Sequence, residues 1–327
     1  MRAIQVSEHG GPEVLHYAEL PDPKIDADQL LVDVQATGIN FIDTYIRTGR
    51  YPQDVPYVPG SEATGVVADV GADVTEFAVG DRVAWASAPG SYAERVAVRA
   101  AVAIKVPDGV EPPVAASALL QGMTAHYLLE SIYTPEPGET VLIHAGAGGV
   151  GLILTQLAVA RGARVITTVS SDAKEKLSRE AGATEVLRYG DDLGYGDDLA
   201  DEVRTLTDGV GVAAVYDGVG ASTFEASLRS LRVRGMLALF GAASGPVPPF
   251  DLQRLNGAGS LFVTRPSLAF YTRDRAELLW RATDIFTAIA EGSLQIRIGA
   301  TYPLAEAEQA HRDLESRKTT GSIVLLP

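Results

Sequence analysis

Alternating apolar and polar residues mark the first third of the chain as rich in short β-strands. The pattern predicts strands at residues 2–6, 30–37, 62–70, 82–86 and 92–98. Turn signals such as Gly10-Gly11-Pro12 and Pro21-Asp22-Pro23 separate them. Short strands at this spacing are typical of a barrel-like domain. Residues 112–130 then change to a helical pattern.

The middle of the chain alternates between apolar strands and helices. Strands are predicted at residues 140–145, 164–169, 185–188, 212–216, 235–240 and 260–264. Helices are predicted between them at residues 152–161, 173–181, 199–206 and 221–231. Six strands with intervening helices indicate an α/β fold with a doubly wound parallel sheet.

The last part of the chain adds a helix at residues 273–291, a strand at 296–302, a helix at 304–317 and a strand at 321–326. These elements do not extend the six-stranded parallel sheet naturally, so we expect them to return to the first domain. The predicted domains are therefore a discontinuous β-rich domain of residues 1–122 and 268–327, and an α/β domain of residues 123–267.

A glycine-rich turn lies between the first strand and first helix of the middle region. Gly146-Ala147-Gly148-Gly149-Val150-Gly151 has the spacing Gly-x-Gly-x-x-Gly. In this spacing one glycine makes the turn, one lets the backbone approach a pyrophosphate, and one lets helix and strand pack closely. The N-terminus of the following helix offers free N–H groups to the phosphates. The turn therefore predicts a dinucleotide site.

The end of the second strand in this region bears on which dinucleotide binds. An NAD site usually has an acidic residue there, whose carboxylate accepts from the ribose 2′-hydroxyl. This chain instead has Ser170 and Ser171, followed by Asp172 and Lys174. Hydroxyl groups and an ammonium group suit a 2′-phosphate, which favours NADP. The alternative is that Asp172 turns toward the ribose.

Three further segments follow strands of the same sheet. Ligands of doubly wound sheets bind beyond the carboxyl ends of the strands. That rule selects residues 217–220, which include Val219, residues 240–242 with Phe240, Gly241 and Ala242, and residues 264–266 with Arg265.

Composition and charge narrow the class of protein. The chain has 327 residues, of which 46% are hydrophobic and 21% charged, as expected of an ordinary globular protein. It has no cysteine, which excludes disulfides, a thiolate nucleophile and thiolate metal sites. A net charge of −15 disfavours nucleic acid and anionic membranes as partners. Without an apolar leader or a long apolar run, we expect a soluble cytoplasmic protein.

Four motifs together resemble one known family. They are Gly38-Ile39-Asn40-Phe41-Ile42-Asp43-Thr44-Tyr45-Ile46-Arg47, the turn from His144 to Gly151, Val263-Thr264-Arg265-Pro266-Ser267-Leu268, and the segment from Leu314-Glu315-Ser316-Arg317 to the C-terminus. The chain resembles the medium-chain dehydrogenase/reductase superfamily over nearly its whole length. Within it, the chain is similar to the zinc-free NADPH:quinone oxidoreductases related to zeta-crystallin. The resemblance implies a GroES-like catalytic domain and a Rossmann nucleotide-binding domain.

The chain departs from the zinc-dependent members of that superfamily. Those alcohol dehydrogenases have a cysteine where Asn40 stands and a histidine where Ser61 stands. They also often carry a four-cysteine lobe after a segment like Gly80-Asp81-Arg82-Val83, and none is present here. The five histidines show no metal-ligand spacing, so we expect no catalytic zinc.

The resemblance also implies the site residues. Asn40, Asp43, Tyr45 and Tyr51 would line the substrate cleft, where aromatic rings suit a flat quinone and an amide or phenol can polarise its oxygen. Arg265 would meet phosphate or the substrate oxygen. The implied contacts with the cofactor are Phe41, Ile42, Tyr127, Gly148, Gly149, Val150, Ser170, Ser171, Lys174, Tyr189, Val219, Phe240, Gly241, Ala242, Arg265 and Arg317, with Tyr127 on the nicotinamide side and Tyr189 near the adenosine 2′-phosphate beside Lys174.

The expected function is hydride transfer from NADPH, bound across the interdomain cleft, to a quinone without a metal. Two alternatives stay open. One is reduction of an activated carbon–carbon double bond, as in alkenals or enoyl thioesters. The other is a non-enzymatic NADPH-binding protein, either structural or RNA-associated. The resemblance further implies a homodimer joined along the strand at residues 261–264.

Overall fold

The computed structural model describes residues 1–189 and 197–327. These residues form two compact units, one made of residues 1–123 and 272–327 and the other of residues 124–271. Among the described residues, no helix combines the length and apolar character needed to cross a membrane.

The strands of the described residues are, in chain order, β1 (Arg2–Gln5), β2 (His16–Glu19), β3 (Gln29–Ile39), β4 (Glu62–Val70), β5 (Arg82–Trp85), β6 (Arg95–Arg99), β7 (Ile104–Lys105), β8 (Thr140–Ile143), β9 (Arg164–Val169), β10 (Glu185–Arg188), β11 (Val212–Asp217), β12 (Leu231–Leu239), β13 (Phe262–Thr264), β14 (Ile298–Pro303) and β15 (Ser322–Leu326).

The α-helices of the same residues are α1 (Phe41–Arg47), α2 (Pro112–Tyr127), α3 (Gly149–Ala160), α4 (Asp172–Glu180), α5 (Asp197–Thr205), α6 (Phe224–Ser230), α7 (Gln253–Gly257), α8 (Leu268–Tyr271), α9 (Arg275–Ala290) and α10 (Ala307–Glu315). A single π-helical turn, Leu128–Ile132, continues α2.

The first unit is built on a mainly antiparallel sheet. Its strand order is β14-β15-β3-β4-β5-β7, and β6 also pairs with β3. Alternate residues of β3, such as Leu30 and Val32, are fully buried and meet Trp85 in an apolar core. The C-terminal segment belongs to this sheet, because β15 pairs antiparallel with β3. This arrangement brings residues near 40 and near 320 into one unit.

The second unit is a parallel sheet with the order β10-β9-β8-β11-β12-β13. β11 is buried along its whole length, as expected of a strand covered by helices on both faces. The reversal of strand order next to β8 puts the turn after β8 at the switch point where such sheets bind ligands. The predicted α/β fold class is confirmed.

Several element limits differ from the prediction. Helix α6 is shorter than predicted and β12 begins four residues earlier, because Leu231 already pairs with Val212 before a register shift. The prediction also omitted β2, β7, α1, α7 and α8, all of seven residues or fewer, which give little periodic signal.

Candidate active site

Helix α1 begins directly after β3 and carries the residues of the first motif. Asn40 is extended, with φ −127° and ψ 153°, and caps the helix. The Asp43 carboxylate accepts a hydrogen bond from the Asn40 backbone N–H at 2.9 Å, which ties up a donor at the helix start. The sequence Asn-x-x-Asp thus fixes where the strand ends and the helix starts.

The Asn40 side chain is held on both sides of its amide. Its Nδ2 donates to Glu62 Oε2 at 2.7 Å, and its Oδ1 accepts from Gln121 Nε2 at 3.1 Å. Gln121 is itself oriented, because its Oε1 accepts from Ser322 Oγ at 2.7 Å. Asn40 and Glu62 are only 6% and 0% exposed. The amide is therefore fixed before any ligand arrives.

Asp43 lies in a second buried chain of hydrogen bonds. Arg47 Nη1 donates to Nδ1 of His311 at 2.8 Å, so Nε2 of that ring carries the hydrogen. Nε2 donates to the Tyr92 hydroxyl at 3.0 Å, and the hydroxyl donates to Asp43 Oδ2, also at 3.0 Å. Arg47 ends the chain in an ion pair with Glu315.

Burial governs the acidity of these groups. Loss of water raises the pKa of Asp43 to about 6, although hydrogen bonds from Asn40 and Tyr92 oppose the shift. In the described part of the chain, Asp43 Oδ1 has no hydrogen-bond partner. Burial, with the Arg47 charge, lowers the pKa of His311 to about 3. Asp43, one of the predicted catalytic residues, is 2% exposed, and its hydrogen bonds anchor α1 and Tyr92.

The predicted aromatic residues lie close together. The rings of Tyr45 and Tyr51 meet edge to face, with centroids 5.6 Å apart, and Phe41 lies 6.3 Å from Tyr45. The Arg50 guanidinium lies 4.7 Å from the centre of the Tyr45 ring, within range of a cation–π interaction. Tyr45 is 7% exposed and Tyr51 is 37% exposed, so the cluster reaches the surface of its unit through Tyr51.

The glycine-rich turn has the geometry of a phosphate loop. Helix α3 begins at Gly149, three residues earlier than predicted, with Gly148 as its N-cap. Gly149 and Val150 therefore lie in the first helical turn, where backbone N–H groups lack helical partners. A Cβ on Gly151 would lie 2.3 Å from the Ala145 carbonyl oxygen, and one on Gly146 would lie 2.6 Å from Thr167 Cβ. Only glycine fits at these two positions.

Buried polar residues connect the phosphate loop to the loop after β11. Asp217, fully buried, accepts from the backbone N–H groups of Val219 at 2.8 Å and Gly220 at 3.0 Å. Ser227 donates to Asp217 and lies 3.0 Å from His144 Nε2. Burial lowers the pKa of His144, with the Asp217 charge opposing the shift. The neutral ring thus links the start of the phosphate loop to the loop after β11.

The end of β9 carries the residues predicted for the 2′-phosphate. Lys174 Nζ donates to Ser170 Oγ at 3.1 Å, and Ser171 caps α4. The Asp172 carboxylate forms an ion pair with Arg188, at the end of β10. Sequence reasoning did not select this arginine. The cationic and hydroxyl groups at Ser170 and Lys174 suit a phosphate.

Tyr189 follows β10 and turns back over the sheet. Its hydroxyl is hydrogen-bonded to Thr168 Oγ1 and lies 3.5 Å from Nδ1 of His144. The backbone N–H of Tyr189 donates to the Val169 carbonyl. Its predicted position beside a 2′-phosphate stays a prediction.

The loops after β11 and β12 are joined to each other. Phe240 and Gly241 donate from their backbones to the Asp217 carbonyl, and a Cβ on Gly241 would lie 2.3 Å from the Gly218 oxygen. Arg265 Nη1 donates to the carbonyl of Phe240 at 3.0 Å. The predicted residues Val219, Phe240, Gly241, Ala242 and Arg265 therefore gather at the carboxyl edge of the parallel sheet.

Three other predicted cofactor contacts are more scattered. Tyr127, 1% exposed, stacks on Tyr271 with ring centroids 4.6 Å apart and planes 6° apart. Arg317 follows α10 and has a left-handed backbone, with φ 60°. Ile42, on α1, is 37% exposed. Their roles toward a cofactor stay predictions.

Sequence reasoning missed the side chains that hold Asn40 and Asp43. Glu62 begins a strand of apolar pattern, and Gln121 lies in an apolar helix. A charged residue at a position predicted to be buried was the available signal, because such groups need partners. Tyr92 and His311 carried no comparable pattern.

The residues at the zinc-ligand positions of relatives do not fit zinc. Asn40 has both ends of its amide occupied by Glu62 and Gln121, and Ser61 replaces the histidine. Across residues 1–189 and 197–327, no group of three or more metal-ligating side chains was found.

Comparisons with known proteins agree with the resemblance. Family models for an alcohol dehydrogenase GroES-like domain and for a zinc-binding dehydrogenase match residues 26–108 and 149–273. A quinone oxidoreductase of Pseudomonas aeruginosa is 44% identical over 100% of this chain and 99% of its own length. A 2-haloacrylate reductase of a Burkholderia species is 40% identical over 99% of this chain and 98% of its own length.

A solved structure of a quinone oxidoreductase has the same fold as this chain. The Escherichia coli quinone oxidoreductase complexed with NADPH has a TM-score of 0.96 at 41% identity, covering 100% of both chains. The predicted family is therefore confirmed over the full length of the chain. This chain belongs to the quinone oxidoreductase family of the medium-chain dehydrogenase/reductase superfamily.

Proposed function

We propose that this chain is an NADPH-dependent quinone reductase that works without a metal ion. The observation that carries the proposal is the fixed amide of Asn40, at the position of a zinc ligand in relatives, with Tyr45 on the same short helix. The quinone oxidoreductase relatives, one of them complexed with NADPH, support the substrate class and the cofactor.

The proposed cofactor site is the carboxyl edge of the parallel sheet. The tight turn that Gly146 and Gly151 allow, and the N–H groups of Gly149 and Val150 in the first turn of α3, suit a pyrophosphate. Ser170 and Lys174 would hold the 2′-phosphate. Val219, Phe240, Gly241, Ala242 and Arg265 would bound the remainder of the site. NADPH, when bound, supplies a hydride from C4 of its nicotinamide ring.

The proposed substrate residues are Asn40, Tyr45 and Tyr51. Glu62 takes one of the two Nδ2 hydrogens of Asn40, and the other would donate to the quinone oxygen as negative charge develops there. The two tyrosine rings offer flat apolar surfaces to a flat substrate. Asp43 would act by holding the start of α1. The chain thus contributes orientation and exclusion of water rather than a covalent step.

The domain limits and the assembly belong to the same proposal. We assign residues 1–122 and 268–327 to the catalytic domain and residues 123–267 to the nucleotide-binding domain. A homodimer would form along β13, an edge strand whose Phe262 and Val263 are 56% and 37% exposed. The absence of cysteine is compatible with the cytoplasm.

The test of function is NADPH oxidation with 1,4-benzoquinone and 9,10-phenanthrenequinone, run beside 2-alkenals and 2-haloacrylate. We expect quinone turnover to fall about 100-fold in Asn40→Ala and NADPH affinity to stay nearly unchanged. Tyr45→Phe, which removes a hydroxyl that would also donate to the quinone oxygen, should lower turnover as well, whereas Tyr17→Phe, on the exposed strand β2, should not.

The other outcomes identify the alternatives. If the protein turns over alkenes but not quinones, double-bond reduction replaces the proposed function. The 2-haloacrylate reductase relative supports this alternative. Tight NADPH binding with no turnover of any acceptor would point to a non-enzymatic role. A collapse of NADPH affinity in Asn40→Ala would mean that the substrate residues are misassigned.

A further inference from the structure

The hydrogen bonds around Asn40 run in one direction. Ser322 donates to the Gln121 carbonyl oxygen, the Gln121 amide donates to Asn40 Oδ1, and Asn40 Nδ2 donates to Glu62. In this series of hydrogen bonds, the amides of Gln121 and Asn40 both turn their oxygen toward Ser322 and their nitrogen toward the Glu62 carboxylate. Reversal of the Asn40 amide would set its Nδ2 against Gln121 Nε2, donor against donor, and reversal of the Gln121 amide would set its oxygen against Asn40 Oδ1, acceptor against acceptor.

Glu62 is the acceptor at the end of this chain. Its Oε2 accepts from Asn40, and its Oε1 accepts from the Leu120 backbone N–H at 2.7 Å. Both oxygens therefore accept, which is the hydrogen bonding of a carboxylate. A Cβ on Gly38 would lie 2.8 Å from Oε2 and 2.2 Å from the Ala116 carbonyl, so the neighbouring strand is kept bare to admit these groups.

A fully buried carboxyl group costs folding free energy, and here it joins the strand β4 to the helix α2. Thr64, two residues along β4, holds that strand to β5 with only a hydroxyl, which donates to the Val83 carbonyl at 2.7 Å. An isolated buried charge costs several kcal/mol of folding free energy unless its partners compensate. The presence of a carboxyl group at position 62, despite this cost when it ionises, indicates a role beyond holding the strand in place.

We propose that Glu62 is a positioning residue, which turns the Asn40 amide so that one Nδ2 hydrogen faces the acceptor oxygen of the substrate. Gln121 and Ser322 hold the same orientation from the other side. This inference rests on the proposed function, because it gives the Asn40 amide its role toward the substrate. It assigns no contact between Glu62 and substrate.

The ionisation of Glu62 adds a readout that does not depend on activity. Burial raises the pKa of this carboxyl group to about 8, hydrogen bonds from Leu120 and Asn40 oppose the rise, and the nearby Asp43 charge adds to it. When Glu62 takes up a proton, one of its oxygens becomes a donor. The series of hydrogen bonds from Ser322 through Gln121 and Asn40 then loses a terminal acceptor. The Asn40 amide should then change its environment over the pH range in which Glu62 titrates.

The chain contains two asparagines, Asn40 and Asn256, so selective labelling with nitrogen-15 asparagine gives two side-chain amide signals. We expect the Asn40 signal to shift with an alkaline midpoint in the wild-type protein and to lose that shift in Glu62→Gln. The exposed Asn256 is the internal reference. An Asn40 signal that does not respond to pH or to Glu62→Gln would overturn the proposal without any assay of turnover.

Kinetics then separate positioning from simple structural support. Above pH 8, where Glu62 is ionised, we expect Glu62→Gln to lower kcat about tenfold with little change in KM for NADPH, and to have no further effect in an Asn40→Ala background. The control Thr64→Val removes a buried hydrogen bond of the same strand and should leave kcat unchanged. Independent, additive losses from Glu62→Gln and Asn40→Ala would refute action through Asn40.

The two proposals fail in different ways. If the wild-type protein reduces no quinone, the proposed function fails, while the labelled-asparagine experiment still reports on the coupling of Glu62 to Asn40. If quinones are reduced and Asn40→Ala is inactive, but Glu62→Gln keeps full kcat, only the positioning role is lost.

Discussion

Arg47 and His311 are 264 positions apart in sequence, yet Arg47 Nη1 donates to His311 Nδ1 at 2.8 Å in the interior of one unit. A guanidinium cannot accept a hydrogen bond, so it leaves a single tautomer for the ring. That tautomer lets His311 donate to Tyr92, which donates to Asp43. The start of α1 is thereby tied to α10.

The His311 ring should make the protein less stable in acid. Its pKa is depressed from 6.5 to about 3 in the folded protein, so between these values the unfolded chain binds a proton that the folded chain does not. Stability from this group is present above pH 6.5 and is lost as pH falls toward 3, by at most about 1.4 kcal/mol per pH unit. Chemical unfolding of wild type and His311→Gln over this range measures it. His16→Gln, at an exposed site, should keep the wild-type slope, and an unchanged slope in His311→Gln would contradict the prediction.

The Glu62 carboxyl group should act in the opposite direction. Its pKa is raised from 4.5 to about 8 on folding, so between these values the folded protein binds the additional proton. This contribution is present below pH 4.5 and is lost as pH rises through 8, again by at most about 1.4 kcal/mol per pH unit. Unfolding free energies of Glu62→Gln should lack this decline. Glu8→Gln, at the surface, is the control, and the prediction fails if both variants keep the decline.

Lys174 should discriminate between the two nicotinamide cofactors. Its ammonium lies beside Ser170, where it can meet a 2′-phosphate. Lys174→Ala should raise KM for NADPH about tenfold and leave KM for NADH unchanged, because only NADPH has the 2′-phosphate that would accept a charge-assisted hydrogen bond from Lys174. Lys176→Ala, on the same helix, should change neither value. Equal losses with both cofactors would mean that Lys174 does not contact the 2′-phosphate.

Gly151 should tolerate no side chain. An alanine Cβ there would lie 2.3 Å from the Ala145 carbonyl oxygen, which forces the phosphate loop away from α3. We expect Gly151→Ala to lower the unfolding free energy by about 1–3 kcal/mol and to weaken NADPH binding. At Gly257 an added Cβ meets no atom within 4 Å, so Gly257→Ala should be neutral or stabilising. Retention of NADPH binding by Gly151→Ala would exclude the assigned loop.

Local sequence was sufficient for much of the framework. β4, β9 and β10 have the limits predicted from their patterns, since apolar periodicity and flanking turn residues act over a few positions. The glycine spacing predicted the phosphate loop for the same reason. The start of α3 was placed too late, because a helical turn rich in glycine has no apolar pattern.

Only the tertiary structure decided how the substrate side is held. Asn40 depends on Glu62, Gln121 and Ser322, which lie 22, 81 and 282 positions away in the sequence. Pairing of β3 with β15 places Ser322, pairing of β3 with β4 places Glu62, and α2 supplies Gln121, and no local pattern encodes such contacts. The sequence alone determined the family, the sheet and the glycine loop, because each is written in neighbouring residues. The orientation of the Asn40 amide was decided by the fold, because buried polar groups must find partners wherever the chain returns.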